Sequence, residues 1–593
     1  MQDKFSSIIK EHEARLKKYN VVSNIVGYIK LLFVLLLGVS LYFLFTKSFP
    51  TMLIIISLIE LVVLIGFWIY HSKIHSKIDY SSSIISINKR HLDRISGQWS
   101  DFVDIGEEFV DFEHPYSSDI DIVGKKSVFQ FLNTTHTWHG RQAFANALLQ
   151  PNFSTEELIK RQNAIIELSM DINFSNHMEQ NFSKIGTDHA SQKLVEELKD
   201  NRLFIKNKVI KFLLVYIPII TLVAIAAISI FRQKNLYIAA ALIAITQGFI
   251  WVAGMLKTKK YTDAVLRLPY KLRTYSVVIE IIKNRHFNSE KLKEIQSLLG
   301  TSEQSAAEAI KGLSKISDKV SVRSNGLVWS ILNVFLLWDY SCAIMFEDWK
   351  KKYAPFAEKW FLALGEFESL LCFSNLPNIY GNTCIPSIIG EKMIEANELG
   401  HPLIQADICV NNNVSCENNI FIISGSNMSG KSTFLRTVGI NLVLGRAGSF
   451  VCAKQMSFSQ MKIITSMRIA DDLNEGISTF YAELKRIKSI IALAQKEPNI
   501  IFLIDEIFRG TNSKDRFSGA KTVISKLNKM GVIGIITTHD LDFCTISEQY
   551  PRIKNYSFSE YYRDNQIHFD YKMKVGKSTT TNAQYLMKMV GIE

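Results

Sequence analysis

Gly425-Ser-Asn-Met-Ser-Gly-Lys431-Ser432 follows the apolar run Ile420–Ile423 and precedes the helical run Thr433–Leu444. Strand, glycine loop and helix in that order form the setting in which Gly-x-x-x-x-Gly-Lys-Ser/Thr binds phosphate. Gly425 and Gly430 permit the tight backbone that turns amides toward a β-phosphate, aided by the helix N-terminus. Lys431 neutralises phosphate charge, and Ser432 supplies a hydroxyl to Mg²⁺. Ser426, Asn427, Met428 and Ser429 within the loop, and Thr433 just after it, complete the expected nucleotide-binding set.

Further along, Ile500-Ile-Phe-Leu-Ile504-Asp505-Glu506 reads as a strand buried on both faces of a parallel sheet and ending in two acids. Asp505 is the expected Mg²⁺ partner, directly or through water, and Glu506 the group that polarises an attacking water. A third strand, Val532–Thr537, ends in Thr538-His539-Asp540. Ligands bind at the carboxyl ends of such strands, so His539 is a candidate catalytic residue that senses a γ-phosphate or positions water. Read alone, it is equally an ordinary surface turn residue.

These pieces in this order resemble the ATPase domain of the DNA mismatch repair protein MutS, a branch of the ABC ATPases. The resemblance rests on Gly400-His-Pro402, Gly425–Thr433, Ala470-Asp-Asp-Leu473, Ser478-Thr-Phe480, Asp505-Glu506-Ile507, Arg509-Gly-Thr511 and Thr537-Thr-His539. Gly576-Lys-Ser-Thr579 through Gly591 resembles the family's closing strand and helix. More weakly, Leu132-Asn-Thr-Thr-His136 through Leu148-Leu-Gln-Pro151 resembles the start of its helical core. Ala363-Leu-Gly-Glu-Phe-Glu-Ser-Leu370 resembles its lever helix. The resemblance implies an ATPase with ATP and Mg²⁺ as cofactors, working as a homodimer with composite sites. Ser478 and Thr479, at a helix start, would face ATP held by the other subunit, and they also read as a plain N-cap. No Leu-Ser-Gly-Gly-Gln lies between the two nucleotide motifs, which disfavours an ABC transporter; Phe517-Ser-Gly-Ala520 follows Asp505-Glu506 and cannot be that signature. The family's mismatch-reading domain, its DNA clamp and its dimerisation tail are expected to be missing, the first two replaced by membrane hairpins.

Those hairpins are four apolar runs near the ~20 residues that cross a bilayer. They cover about 25–45 and 51–70, and about 212–231 and 236–256, each pair joined by a short turn. Arg15, Lys17, Lys18, Lys73, Lys77, Lys89 and Arg90 flank the first pair; Arg202, Lys206, Lys208, Lys211, Lys257, Lys259 and Lys260 flank the second. The turns carry only Lys47, Arg232 and Lys234. By the positive-inside rule both hairpins dip outward from a cell (inner) membrane, and the termini and soluble parts are cytoplasmic. Lys30 and Glu60 sit awkwardly in apolar surroundings and keep a buried-core alternative open. Lys30 reaches the interface by snorkelling. Glu60 is either a functional intramembrane carboxylate or a helix-packed, protonated one.

Composition agrees with a soluble engine carrying a few spans. The 593 residues are 47% apolar, with 68 Lys and Arg against 56 Asp and Glu, a net charge of +12. Mean hydropathy is +0.09, between soluble enzymes and polytopic transporters. The inside bias accounts for much of the charge, which makes it weak evidence for DNA. The seven cysteines form no Cys-x-x-Cys pair and read as buried thiols in a reducing compartment.

The expected fold is therefore an α/β ABC-type P-loop ATPase domain behind an all-α MutS-like core and lever interrupted by transmembrane hairpins. Its parts are an N-terminal hairpin segment (1–80), a linker and first core part (81–208), a second hairpin (209–258), a helical lever return (259–376) and the ATPase domain (377–593). Ser154-Thr-Glu-Glu157 opens a helix, Ser302 caps a run towards Leu313, and the apolar stretch Leu327–Leu337 is expected to be core. Two functions follow: a membrane-anchored, mismatch-repair-type DNA-binding ATPase, or an ATP-driven membrane transducer that handles no DNA.

Overall fold

The computed structural model describes residues 2–46, 50–186, 189–200, 203–231, 234–266, 269–300, 305–468, 479–508, 513–563 and 566–578. Ala470-Asp-Asp-Leu473, Ser478, Arg509-Gly-Thr511, Ser302 and the tail from Thr579 lie outside them.

Helices α1 (Gln2–Thr46) and α2 (Pro50–Ser96) pair antiparallel, matching Phe5 with His91, Ser23 with His71 and Ser40 with Glu60. At 1.5 Å per residue each is about 70 Å long, more than twice a bilayer's ~30 Å hydrocarbon. The tip halves expose Leu35 and Val62, whereas the open ends pack on the body through buried Phe5 and Arg94. Arg94 donates to the carbonyls of Phe131 (2.6 Å) and Asn133 (2.9 Å). Lys30 faces His71, and the Ser40 hydroxyl donates to Glu60 at 3.1 Å, so both awkward charges turn into the helix–helix seam.

The helical body comprises α3 (Val128–Leu132), α4 (Trp138–Leu149), α5 (Thr155–Ser169), α6 (Ile172–Ser183) and α7 (Ala190–Lys199). A second apolar pair follows, α8 (Lys208–Phe231) and α9 (Lys234–Leu266), then α10 (Pro269–Asn284), α11 (Glu290–Leu298), α12 (Ala306–Val320), α13 (Gly326–Leu336), α14 (Trp338–Ser374) and α15 (Leu376–Ile379). Ser154 caps α5 by accepting from the Glu157 amide at 3.2 Å. Within the described residues, four helices are long and apolar enough to cross a membrane: Gln2–Leu44, Thr51–Ser96, Lys208–Ile228 and Tyr237–Asp263.

The apolar stretch Leu327–Leu337 departs from its expected place in the core. Helix α13 exposes Leu327, Val328, Ile331 and Phe335, and Asn333 is its one buried residue. An apolar run without charges is compatible with core and with lipid alike, and periodicity cannot separate them.

Helix α14 is the spine of the body and crosses α4 closely: a Cβ on Gly365 would lie 2.6 Å from the backbone of His139. One turn on, Glu368 accepts from the His136 amide and, at 2.5 Å, from the Thr137 hydroxyl, at the start of α4.

The C-terminal part holds two sheets. A small four-stranded sheet, ordered β1-β5-β2-β3, uses β1 (Ser387–Ile389), β2 (Met393–Leu399), β3 (Asn412–Glu417) and β5 (Gln455–Ser459). The larger is ordered β10-β9-β4-β8-β7-β6, from β4 (Ile420–Ser424), β6 (Lys462–Ser466), β7 (Ile500–Asp505), β8 (Ile533–Thr538), β9 (Ile553–Arg563) and β10 (Gln566–Val575). Only β10 pairs antiparallel in it. Every residue of β4, β7 and β8 is buried, as strands covered on both faces require. Helix α16 (Lys431–Arg446) covers one face and joins it to the helical body's core; α17 (Thr479–Lys496) and α18 (Ser513–Lys529) cover the other.

Candidate functional site

The site lies where β4, β7 and β8 end side by side. After Ser424 the chain turns through Gly425 (φ 153°) and Gly430 (φ 103°) into α16. A Cβ on Gly425 would sit 2.6 Å from the Phe558 carbonyl and 2.9 Å from Ser429 Oγ, so only glycine permits this turn. Met428 stands at the loop's tip, exposed and left-handed (φ 69°). Inside the loop Lys431, 4% exposed, donates from Nζ to the carbonyls of Gly425 (2.8 Å) and Ser426 (2.7 Å). Ser429 donates to the Ser426 carbonyl at 2.8 Å, tightening the same turn.

Ser432 and Asp505, distant in sequence, meet here: Ser432 Oγ donates to Asp505 Oδ2 at 2.8 Å. Thr537 of β8 donates to the other carboxylate oxygen at 2.5 Å, fixing its rotamer. A hydroxyl beside an oriented carboxylate is an oxygen donor set suited to Mg²⁺, which keeps waters and phosphate oxygens as its remaining ligands. The site residues therefore fit the metal that the sequence motif implies.

Glu506 follows in the left-handed region (φ 56°), its amide donating to the Thr537 carbonyl at 3.2 Å. Backbone in that region is costly for a non-glycine residue and clusters at functional sites. Its Oε1 lies 3.5 Å from His539 Nδ1, and the half-exposed His539 is thus drawn to the site rather than left as a lone turn residue. Arg516 of α18 pairs with Asp540 at 3.1 Å and steadies that turn. Thr479 is the first residue of α17, at a helix start as expected.

A cavity of about 500 Å³ opens beside the loop. Its lining combines Asn427, Lys431, Ser432, Thr433 and Glu506 with the apolar Ile404, Ile408, Val410 and Phe558 and the ring of Tyr571. His401 also lines it, and burial together with nearby Arg436 pushes its pKa down to about 4, so the ring is neutral. Tyr571, Phe558 and Ile408 were not legible as site residues, because strand pairing and the 401–410 loop bring them in. Glu560 was likewise missed; it accepts from Ser426 Oγ at 2.8 Å and braces the glycine loop from β9.

One segment of the helical body, just before α3, reaches this region through Asp119 and Asp121. Asp119, nearly buried, accepts from Thr465 Oγ1 (2.6 Å) and from the amides of Met467 (3.1 Å) and Arg468 (2.9 Å), at the end of β6. Asp121 pairs with Arg468 (2.7 Å) and with Arg436 of α16 (3.1 Å). The helix that begins at the glycine loop is thereby bonded directly to the body.

Residues 421–592 match the family model for MutS domain V. Among similar proteins, the DNA mismatch repair protein MutS of Lysinibacillus sphaericus is 26% identical over 340 residues, 56% of this chain and 38% of its own length. Its counterpart in Methanosarcina mazei is 30% identical over 217 residues (35% and 24%), and that of Chloroflexus aurantiacus 25% over 224 (36% and 23%). The matched regions thus span roughly a quarter to two-fifths of these relatives, and the likeness to the MutS family is carried mainly by the part of the chain that holds the site.

Proposed function

We propose that the chain is a membrane-anchored ATPase of MutS type that binds ATP with Mg²⁺ in this cavity and hydrolyses it. The observation that carries the reading is the meeting of the glycine loop, the Ser432–Asp505 pair and the Glu506–His539 pair at three adjacent strand ends. The apolar and aromatic lining residues suit a nucleobase, and the loop residues its phosphates. Lys431 and the amides that begin α16 hold the phosphates. Ser432 and Asp505 hold Mg²⁺, which when bound neutralises phosphate charge. Glu506 accepts a hydrogen bond from the attacking water and orients it, with His539 holding that carboxylate in place. Ser478 and Thr479 of a second copy complete the site, which makes the working unit a homodimer.

Hydrolysis by the detergent-purified chain tests this reading. Glu506→Gln keeps size and hydrogen bonding but loses the carboxylate, so ATP still binds and turnover falls by at least about a hundredfold, the usual scale for a general base. Turnover at the parental rate removes Glu506 from the reaction.

The relatives are named for DNA mismatch repair, and the same engine here has either a DNA or a membrane output. The two apolar hairpins favour the second, with the inner membrane as the site of action and the soluble parts cytoplasmic. Mismatch binders wedge apolar side chains into a deformable base step; DNA contact by Lys and Arg of this helical body would instead be made to phosphates, without mismatch information. Preference for a mismatched duplex is then below about threefold, or ~0.7 kcal/mol. A tenfold preference at physiological salt restores mismatch reading, and undetectable binding at low salt leaves the transducer.

A further inference from the structure

Helix α13 combines three properties that a water-facing surface helix does not. Its sequence, Gly-Leu-Val-Trp-Ser-Ile-Leu-Asn-Val-Phe-Leu, carries no charge, yet Leu327 is 71% and Ile331 50% exposed. Each polar side chain in it is satisfied from within the protein. Ser330 donates to the Gly326 carbonyl at 2.8 Å and Asn333 to that of Trp329 at 3.0 Å. Trp329 Nε1 donates to Asp339 at 3.1 Å, and Arg323 pairs with the same buried carboxylate at 3.0 Å. Internal satisfaction of this kind is what a hydrocarbon environment demands.

The third property is its path along α9. Arg323, just before α13, donates to Thr262. Trp329 packs edge-on against Trp251. At the far end lies Gln247, fully buried; with its amide oriented by its hydrogen-bonding partners, the nitrogen donates to the carbonyls of Val334 (2.6 Å) and Phe335 (3.1 Å) and the oxygen accepts from Thr221 of α8 at 2.7 Å. These are carbonyls that a helix C-terminus leaves without partners. From Thr262 to Gln247 the contact point moves about 22 Å along α9. It ends about 15 Å past Lys257, roughly half of a ~30 Å hydrocarbon layer. There Leu337 turns in the left-handed region (φ 46°), and α14 leaves at 79° to α13. Tyr340 then donates to the Ile250 carbonyl at 3.1 Å, and Leu214, Leu337 and Ile344 close a small cluster against α8.

We propose that α13 and the α13–α14 bend form a re-entrant wedge in the cytoplasmic leaflet, with Leu327, Ile331 and Phe335 against lipid acyl chains. This rests on the reading that α8 and α9 span the membrane. At eleven residues α13 is too short to cross, but it is long enough to enter one leaflet. The two helices it packs against expose apolar side chains as well, among them Val223 of α8 and Phe249 of α9. The consequence is mechanical: α14, 37 residues long, is rooted in the bilayer at one end and docked on α4 near the ATPase part at the other.

The test places benzoylphenylalanine singly at Leu327, Ile331, Phe335 and, as a reference, Phe249, in the full chain reconstituted into phosphatidylethanolamine–phosphatidylglycerol vesicles. Illumination is expected to give lipid adducts at Ile331 and Phe335 as at Phe249. Adducts at Phe249 with none at Ile331 and Phe335, or with crosslinks to a second copy there, overturn the wedge and leave the spans standing. No adduct at Phe249 overturns both. A second measurement avoids the bulky residue: Trp329→Phe removes a fluorophore from the wedge, so the emission quenched by chain-brominated phospholipid falls. Quenching equal to the parent's contradicts the proposal.

Discussion

Gly365→Ala and Gly312→Ala are the same chemical change on two helices of one body, and the structure gives them opposite signs. In a helix interior, replacing Gly by Ala gains about 1 kcal/mol of propensity. At Gly312, in α12, the nearest atom to a new Cβ is Trp349 Cδ1 at 3.9 Å, an ordinary contact, so that gain is retained. At Gly365 the new Cβ would lie 2.6 Å from both C and O of His139, and backbone cannot rotate aside. Overpacking of this kind costs about 1–3 kcal/mol. Pushing α4 away also strains the Glu368 bonds to the amides of His136 and Thr137, and a buried amide left unsatisfied costs about 1–3 kcal/mol more. Less the ~1 kcal/mol of propensity, the net at Gly365 is a loss of about 1–5 kcal/mol. A chain of this size does not unfold in one step, so the comparison is read as the order of thermal midpoints by tryptophan fluorescence in detergent. Gly312→Ala is expected at or above the parent and Gly365→Ala below it. A Gly365→Ala protein as stable as Gly312→Ala refutes the close crossing of α4 and α14.

Burial pushes the Glu368 carboxyl up to about 7, so between its ordinary value near 4.5 and 7 the folded state holds a proton that the unfolded state has lost. Stability contributed there falls as pH rises through that window, by roughly 3 kcal/mol in all; urea midpoints across pH 4.5–7.5 should show a slope that Glu368→Gln flattens, and an unchanged slope removes Glu368 as its source. Asp119→Ala leaves the amides of Met467 and Arg468 without their acceptor and loosens the end of β6, costing about 2–4 kcal/mol; a double-mutant cycle with Thr465→Val should give a coupling above about 0.5 kcal/mol, and additivity of the two would mean that the Thr465 bond adds nothing. Cysteines at Thr51 and Asn235 should react with an impermeant thiol reagent in intact cells while those at exposed Lys77 and Lys485 do not; labelling at Lys485 without Thr51 reverses the topology.

The strand–loop–helix around Gly425 was legible because its chemistry is local: β4, the loop and α16 begin within two residues of where the motif puts them. The acids at the end of β7 and the histidine after β8 were legible for the same reason. The lever-like stretch 363–370 gains a physical reason from the structure, since Gly365 admits α4 and Glu368 accepts from the amides of His136 and Thr137 just before it. What stayed hidden depends on distant partners. Tyr571 and Phe558 reach the cavity only through the pairing of β9 and β10, and the surroundings of α13 are set by α8 and α9. The unbroken course of α2 to Ser96 was readable but overlooked: no Gly or Pro interrupts residues 71–96, and Gly97 ends the run.

The central claim is that Lys431 sits in a loop that holds ATP phosphates, and calorimetry with Mg²⁺-ATP on the parent and on Lys431→Ala tests it directly. Lys431 is buried among loop carbonyls and is the cation aimed into the loop, so its loss should abolish measurable binding. An affinity within about twofold of the parent, under ~0.4 kcal/mol, would contradict the account.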